Sequence, residues 1–234
     1  MFTLTKAKET ISIFTGNKII TMNIVLIFII ALNLIVSFKG FGALAFFRKY
    51  EFHIGSIRAG EHYRMVSSAF LHGDIGHLFF NMFTLYMFAP VVISYMESYT
   101  FALIYVGSLI FGSLLTLLMH KDDYNYRAIG ASGAVTGILY SAILLQPDMS
   151  LYLFFIPIPI PAYIFGIGYL LYSIYGMKAK NDNIGHTAHF GGAIGGFLIT
   201  IIKAPYILTE NTFMVVLLLI PIVILFGLAK AGKL

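Results

Sequence analysis

Uncharged apolar stretches about as long as a bilayer is thick recur along this chain, and no other feature limits its fold so severely. Residues 19–38, 75–94 and 100–119 each run for 20 residues without Asp, Glu, Lys or Arg, the length an α-helix needs to cross the hydrocarbon. Further apolar runs at 129–145, 151–177, 186–202 and 211–229 bring the expected spans to seven. The chain is 59% hydrophobic and only 11% charged, where soluble domains carry about 25% charged residues. A water-soluble globule is therefore excluded. The first run also exceeds the apolar core of a secretory leader, about 7 to 15 residues, and reads as a retained span.

Within this pattern 1–18 reads as a polar N-terminal segment, 19–203 as the membrane domain and 204–234 as an additional C-terminal helix with its tail. Residues 39–73 mix charge with Phe46, Phe47, Tyr50, Phe52 and Tyr63, a composition suited to the headgroup region. The span at 129–145 is short and opens on Gly130, Ala131, Ser132 and Gly133, so it is expected to be lined by protein rather than lipid. Pro157, Pro159 and Pro161 alternate in the next run, which predicts extended chain there and helix only from Ala162. Pro90 predicts a kink toward the end of the second span.

Net charge is +5, and on so apolar a chain the excess is assigned to lipid headgroups rather than to nucleic acid. Cysteine is absent, which excludes disulfides, thiolate metal sites and a cysteine nucleophile. With the N-terminus inside, 4 of the Lys and Arg side chains fall inside and 11 outside, against the positive-inside rule. Charge alone leaves the orientation open.

Polar groups inside or at the edge of apolar spans cost several kcal/mol unless partnered, so each is a site candidate. They are His72, His77, Asn81, Ser132, His186 and His189. His77 and Asn81, four apart, share a helix face. Ser132 opens its span after a Gly-Ala turn, where free backbone N–H groups and the helix dipole favour a developing oxyanion. His189 opens another span, with Gly192 and Gly196 following on its face, and Gly133 and Gly137 form the matching small pair on the serine helix. Helices joined through these glycines would set Ser132 beside His189 as nucleophile and base. All ten acids lie outside the spans or at their edges, so a dyad is expected. His77, Asn81 and the Ser132 N–H are the expected oxyanion donors.

Taken in order, Tyr63-Arg64, His72-x4-His77-x3-Asn81, Glu97, Gly130-x-Ser132-Gly133 and Ala188-His189-Phe190-Gly191-Gly192 resemble the rhomboid intramembrane serine proteases. The resemblance runs from about Gly60 to Phe197. It implies a six-helix transmembrane core, here with a seventh C-terminal helix, and a water-filled cavity open to the extracytoplasmic side of the plasma (inner) membrane. It also implies hydrolysis of transmembrane protein substrates amid membrane lipids, without metal or cofactor. Ser132 would be the nucleophile, His189 the base, and His77 and Asn81 the oxyanion partners. Gly130, Gly133, His72, Arg64, Gly192 and Gly196 would give structural support. Two features depart from the family pattern. Thr136 stands where an aromatic often packs on the catalytic histidine, and the loop between the second and third spans lacks the usual basic residues. Two other readings compete: a relative that binds transmembrane helices without cutting them, and a metal protein using His72, His77, His186 and His189.

Overall fold

The computed structural model describes residues 10–15, 18–151, 159–179 and 184–234, with side chains from Asn23 onward. Strands β1 (Thr10–Thr15) and β2 (Lys18–Asn23) pair antiparallel. The first apolar run thus begins in a strand, and its helix α1 (Ile24–Gly42) starts only where Asn23 can cap it, the side chain accepting from the N–H groups of Val25 and Leu26. A loop rich in short elements follows: α2 (Leu44–Tyr50), β3 (Phe52–His53), α3 (Ile54–Arg58), α4 (Arg64–Ser67) and a single 3₁₀ turn at Ser68–Phe70.

Helix α5 (Ile75–Met119) is capped by Asp74 and counts 45 residues, broken at Glu97, whose φ of 63° is not helical. A straight helix of that length would measure about 67 Å, twice the hydrocarbon thickness of about 30 Å. Hydrogen bonds show that the chain turns back there. Asn23, at the start of α1, bonds Ser98 just past the break, while Ser37, near the end of α1, bonds the residues leading into α5. On the return, Tyr105 meets Asn33 and Ser113 reaches the carbonyl of Met65 in the first loop. The second and third spans are therefore the two arms of α5. Pro90 lies inside a continuous helical arm, and the break falls seven residues later at Glu97.

Strand β4 (Arg127–Ala128) pairs with β3 and precedes α6 (Ser132–Leu145). Every residue of α6 after Ser132 is buried, so this short helix is the centre of the fold and meets neighbouring helices instead of lipid. After the short pair β5 (Ser150–Leu151) and β6 (Ile160–Pro161), α7 (Ala162–Ala179) begins at Ala162, directly behind the extended prolines. Pro157 lies outside the described residues. Helix α8 (His186–Lys203), the turn α9 (Ile207–Glu210) and α10 (Thr212–Lys230) complete the chain. α10 rests on α7 and α6, and Asn211 at its start donates to the carbonyl of Leu144. By length and composition α1, α5 and α10 can each cross a bilayer, and the molecule is an all-α, multi-pass membrane protein.

The core is the mutual contact of α5, α6 and α8. α6 and α8 touch backbone to backbone: a Cβ at Gly192 would strike the carbonyl of Gly133, and one at Gly196 the carbonyl of Gly137. Ser141 is tied into the same seam, accepting from Thr200 at 2.8 Å and donating to the Gly137 carbonyl at 2.8 Å. Because the obstructing atoms are backbone, they cannot move aside as side chains do. Gly196→Ala should therefore cost about 1 to 3 kcal/mol, the usual range for overpacking, read as a lowered melting temperature in detergent. An unchanged melt would show that the seam can open.

Candidate active site

Helix starts do most of the positioning here. Ser132 is the first residue of α6, and His189 stands in the first turn of α8. The glycine seam brings these two N-termini together, and His189 Nε2 lies 2.9 Å from Ser132 Oγ. The imidazole is buried while the serine is half exposed to a cavity of about 630 Å³. His77, Asn81, Thr136, Phe165 and Tyr169 also line that cavity.

The chain entering α6 is held from three sides. Gly130 adopts φ of 112°, a conformation that side chains resist, and its N–H donates to the Ser68 carbonyl at 3.0 Å. A Cβ at Gly130 would also come within 2.8 Å of the His77 ring, so a larger residue would both strain the turn and displace His77. The next N–H, of Ala131, points at His72 Nε2 at a long 3.5 Å. Ser37 Oγ donates to the Phe70 carbonyl and so accepts from His72 Nδ1–H at 2.8 Å. His72 is thereby fixed as a neutral bridge from α1 to the residue before Ser132.

His77 and Asn81 stand one turn apart on the first arm of α5. Asp74 Oδ1 accepts the His77 N–H at 2.8 Å, and the Gly73 N–H points at His77 Nδ1 at 3.5 Å. That contact leaves Nε2 as the ring's donor, on the side of Gly130. Among the described residues, buried Asn81 Nδ2 has no hydrogen-bond partner, an unusual cost for a native protein unless the group awaits an acceptor. His77 and Asn81 both line the cavity that also holds Ser132.

Arg64 lies in the first loop away from these groups. Its guanidinium donates to the carbonyls of Arg48 and Glu51 at 2.8 and 3.0 Å and pairs with Glu61. Buried Glu51 in turn pairs with Arg48 and with Arg127 on β4, so the loop is clamped to the strand that leads to Gly130. His186 begins α8, with its ring against Gly176 and edge-on to Tyr172. Thr136 Oγ1 donates to the Ser132 carbonyl at 2.6 Å. Two contacts of His189 were not anticipated from the sequence. Tyr169 places its ring 4.9 Å from the imidazole and its hydroxyl 3.1 Å from Nε2, and Ser173 Oγ is 3.3 Å from Nδ1. Their four-residue spacing within an apolar span was the available signal. The four histidines that a metal site would use fall into pairs, with ring centroids 4.9 Å apart for His72 and His77 and 5.8 Å for His186 and His189. Among the described residues, no three His, Asp or Glu side chains converge as a metal site would require.

Burial of His72, with a smaller contribution from nearby His77, pushes its pKa from the ordinary 6.5 down to about 3. His53 is lowered as well, chiefly by burial. An unfolded His72 takes up a proton below 6.5 and the folded one does not until about 3, so stability is full above the upper value and declines on acidification between the two. The melting temperature should fall across that window, and His72→Gln should flatten the decline. A wild-type slope retained in that variant would assign it to other groups.

The rhomboid domain family model matches residues 59–206, a segment that includes every candidate above. The chain is 32% identical over 155 residues to RHOMBOID-like protein 12, mitochondrial, of Arabidopsis thaliana, covering 60% of this chain and 46% of that one. It is 31% identical over 149 residues to YdcA of Bacillus subtilis, which is named for the rhomboid proteases, covering 60% of this chain and 67% of YdcA. Rhomboid protein 1, mitochondrial, of Saccharomyces cerevisiae matches at 29% over 137 residues, 57% of this chain and 40% of the yeast protein. The chain thus spans less than half the length of the two mitochondrial relatives. With the family model covering well over half of its residues and the motif positions gathered around one cavity, this chain belongs to the rhomboid family.

Proposed function

We propose that the protein is an intramembrane serine endopeptidase that cuts transmembrane proteins in or near their membrane segments through Ser132 and His189. The observation that carries this reading is the 2.9 Å contact between Ser132 Oγ and His189 Nε2, made at two helix N-termini beside a cavity. Ser132 Oγ–H would donate to Nε2, so attack on a substrate carbonyl passes that proton to the imidazole. The carbonyl oxygen becomes an oxyanion, met by the Ser132 N–H, His77 Nε2–H and the unpartnered Asn81 Nδ2–H. Collapse expels the amine, which takes the proton from His189, and water then releases the acyl group by the same route with the roles reversed. The chain's own groups supply the nucleophile, base and donors that this sequence of steps needs.

A bound transmembrane helix keeps its backbone satisfied, and the carbonyl to be cut becomes accessible only after local unwinding. Substrates with glycine or other helix-weakening residues near the scissile bond are therefore preferred in this reading. The active site shares a side of the membrane with the first loop and lies opposite the start of α1, as the Asn23–Ser98 and Ser37–Phe70 contacts support. The proposed setting is the plasma (inner) membrane with the site on the extracytoplasmic side. Several relatives carry mitochondrial names, and an organelle membrane of equivalent topology would present the same site.

Lipid-reconstituted protein should cut a glycine-containing transmembrane substrate, and Ser132→Ala and His189→Ala should each abolish turnover. Asn81→Ala should lower kcat by about 10² to 10³ with little change in KM, the usual loss for an oxyanion donor. Exchanging the substrate glycines for leucine should slow cleavage. If folded wild type neither cuts nor reacts with a fluorophosphonate at Ser132, the protein binds helices without hydrolysing them.

A further inference from the structure

We infer that α7 holds the base in its working orientation, with Tyr169 and Ser173, one helical turn apart, acting as positioning residues for the two nitrogens and the ring face of His189. This rests on the protease reading above.

An imidazole serves as base at one nitrogen only when the other carries the hydrogen. Nε2 faces Ser132 Oγ at 2.9 Å, so Nδ1 must hold the N–H, and a buried N–H needs an acceptor. Ser173 provides it: its hydroxyl lies 3.3 Å from Nδ1 on a side chain with no exposed surface. Ser173 thus stands where other serine hydrolases place a carboxylate, selecting the tautomer without adding a charge to an apolar span.

Tyr169 acts on the opposite side of the ring system. Its ring lies at 4.9 Å and 31° to the imidazole, which limits rotation of His189 away from the serine. Its hydroxyl lies 3.1 Å from Nε2, the nitrogen that also meets Ser132 Oγ. A phenol can donate to Nε2 while that nitrogen is unprotonated and, by turning its O–H, accept from Nε2–H once the serine's proton has moved. The contact therefore keeps the imidazole beside Ser132 through the proton transfer. Around His189 the other titratable groups among the described residues are His186 on its own helix and Tyr172 on α7, while α5 contributes His77 and Asp74 across the cavity.

The test uses full-length protein in lipid, with Tyr169→Phe, Ser173→Ala and Ser173→Thr compared on one transmembrane substrate across pH, and with Ser132 labelling by a fluorophosphonate as a second readout. Tyr169→Phe and Ser173→Ala should each lower kcat and the labelling rate roughly ten- to a hundredfold and leave KM and melting temperature near wild type, and Ser173→Ala, which removes the acceptor of Nδ1–H, should also move the acid limb of the kcat/KM profile to lower pH. Ser173→Thr, which keeps the hydroxyl, should recover most of the loss. Unaltered kcat and acid limb in both hydroxyl-deleted variants, with wild type active, overturn this inference and leave the protease reading standing. A folding defect in Ser173→Ala passes the decision to Tyr169→Phe, which removes a single oxygen. An inactive, unlabelled wild type overturns both.

Discussion

The site depends on one contact that involves almost no side chain: the approach of α6 and α8 along Gly133, Gly137, Gly192 and Gly196. Lipid tails are as apolar as leucine, so helices in a bilayer gain little from hiding apolar surface against each other, and close backbone packing has to supply the attraction instead. Here it also supplies the geometry. Ser132 and His189 sit at the ends of these two helices on the same side of the seam, and their separation follows from how closely the backbones meet. Wider helices would carry the hydroxyl out of reach of the imidazole with every other residue unchanged.

A second set of constraints acts on the residues just before Ser132. The first loop reaches them through the β3–β4 pair, the Gly130 bond to Ser68 and the His72 bridge to α1. The charged cluster of Glu51, Arg48, Arg64 and Arg127 stiffens this connection from outside. A loop whose His72 lies 59 residues before Ala131 is thus part of the support of Ser132, and its many short elements reflect the number of backbone groups it must satisfy at the membrane surface.

Much of the helix plan was legible in the chain, because uncharged runs of bilayer length have few other uses. The onset of α7 at Ala162 followed from proline chemistry, and the burial of α6 from its length and small residues. The apposition of Ser132 and His189 was legible from paired glycines. Other features were hidden. The entry of α1 into helix at Ile24 depends on Asn23 acting as a cap, which an apolar run does not disclose. Pro90 is the kink that the sequence suggests, whereas the break falls at Glu97, whose positive φ interrupts the helix outright. Tyr169 and Ser173 escaped notice because their role depends on how α7 is rotated about its axis, and apolar residues on every side of that helix leave its rotation unmarked in the sequence.

The break at Glu97 has a consequence for how the protein is made. The two arms of α5 are joined by one residue rather than by a loop, so neither arm has the slack to settle across the membrane while the other waits outside. They must enter the bilayer as a hairpin, and the orientation of one dictates that of its neighbour during synthesis. His77 and Asn81 travel on the first arm, and Gly112, which packs on the carbonyl of Ala188 beside the histidine, travels on the second. Both halves of the site's wall are thereby delivered to the same side of the membrane in a single insertion event, ahead of the packing of α6 and α8 against them.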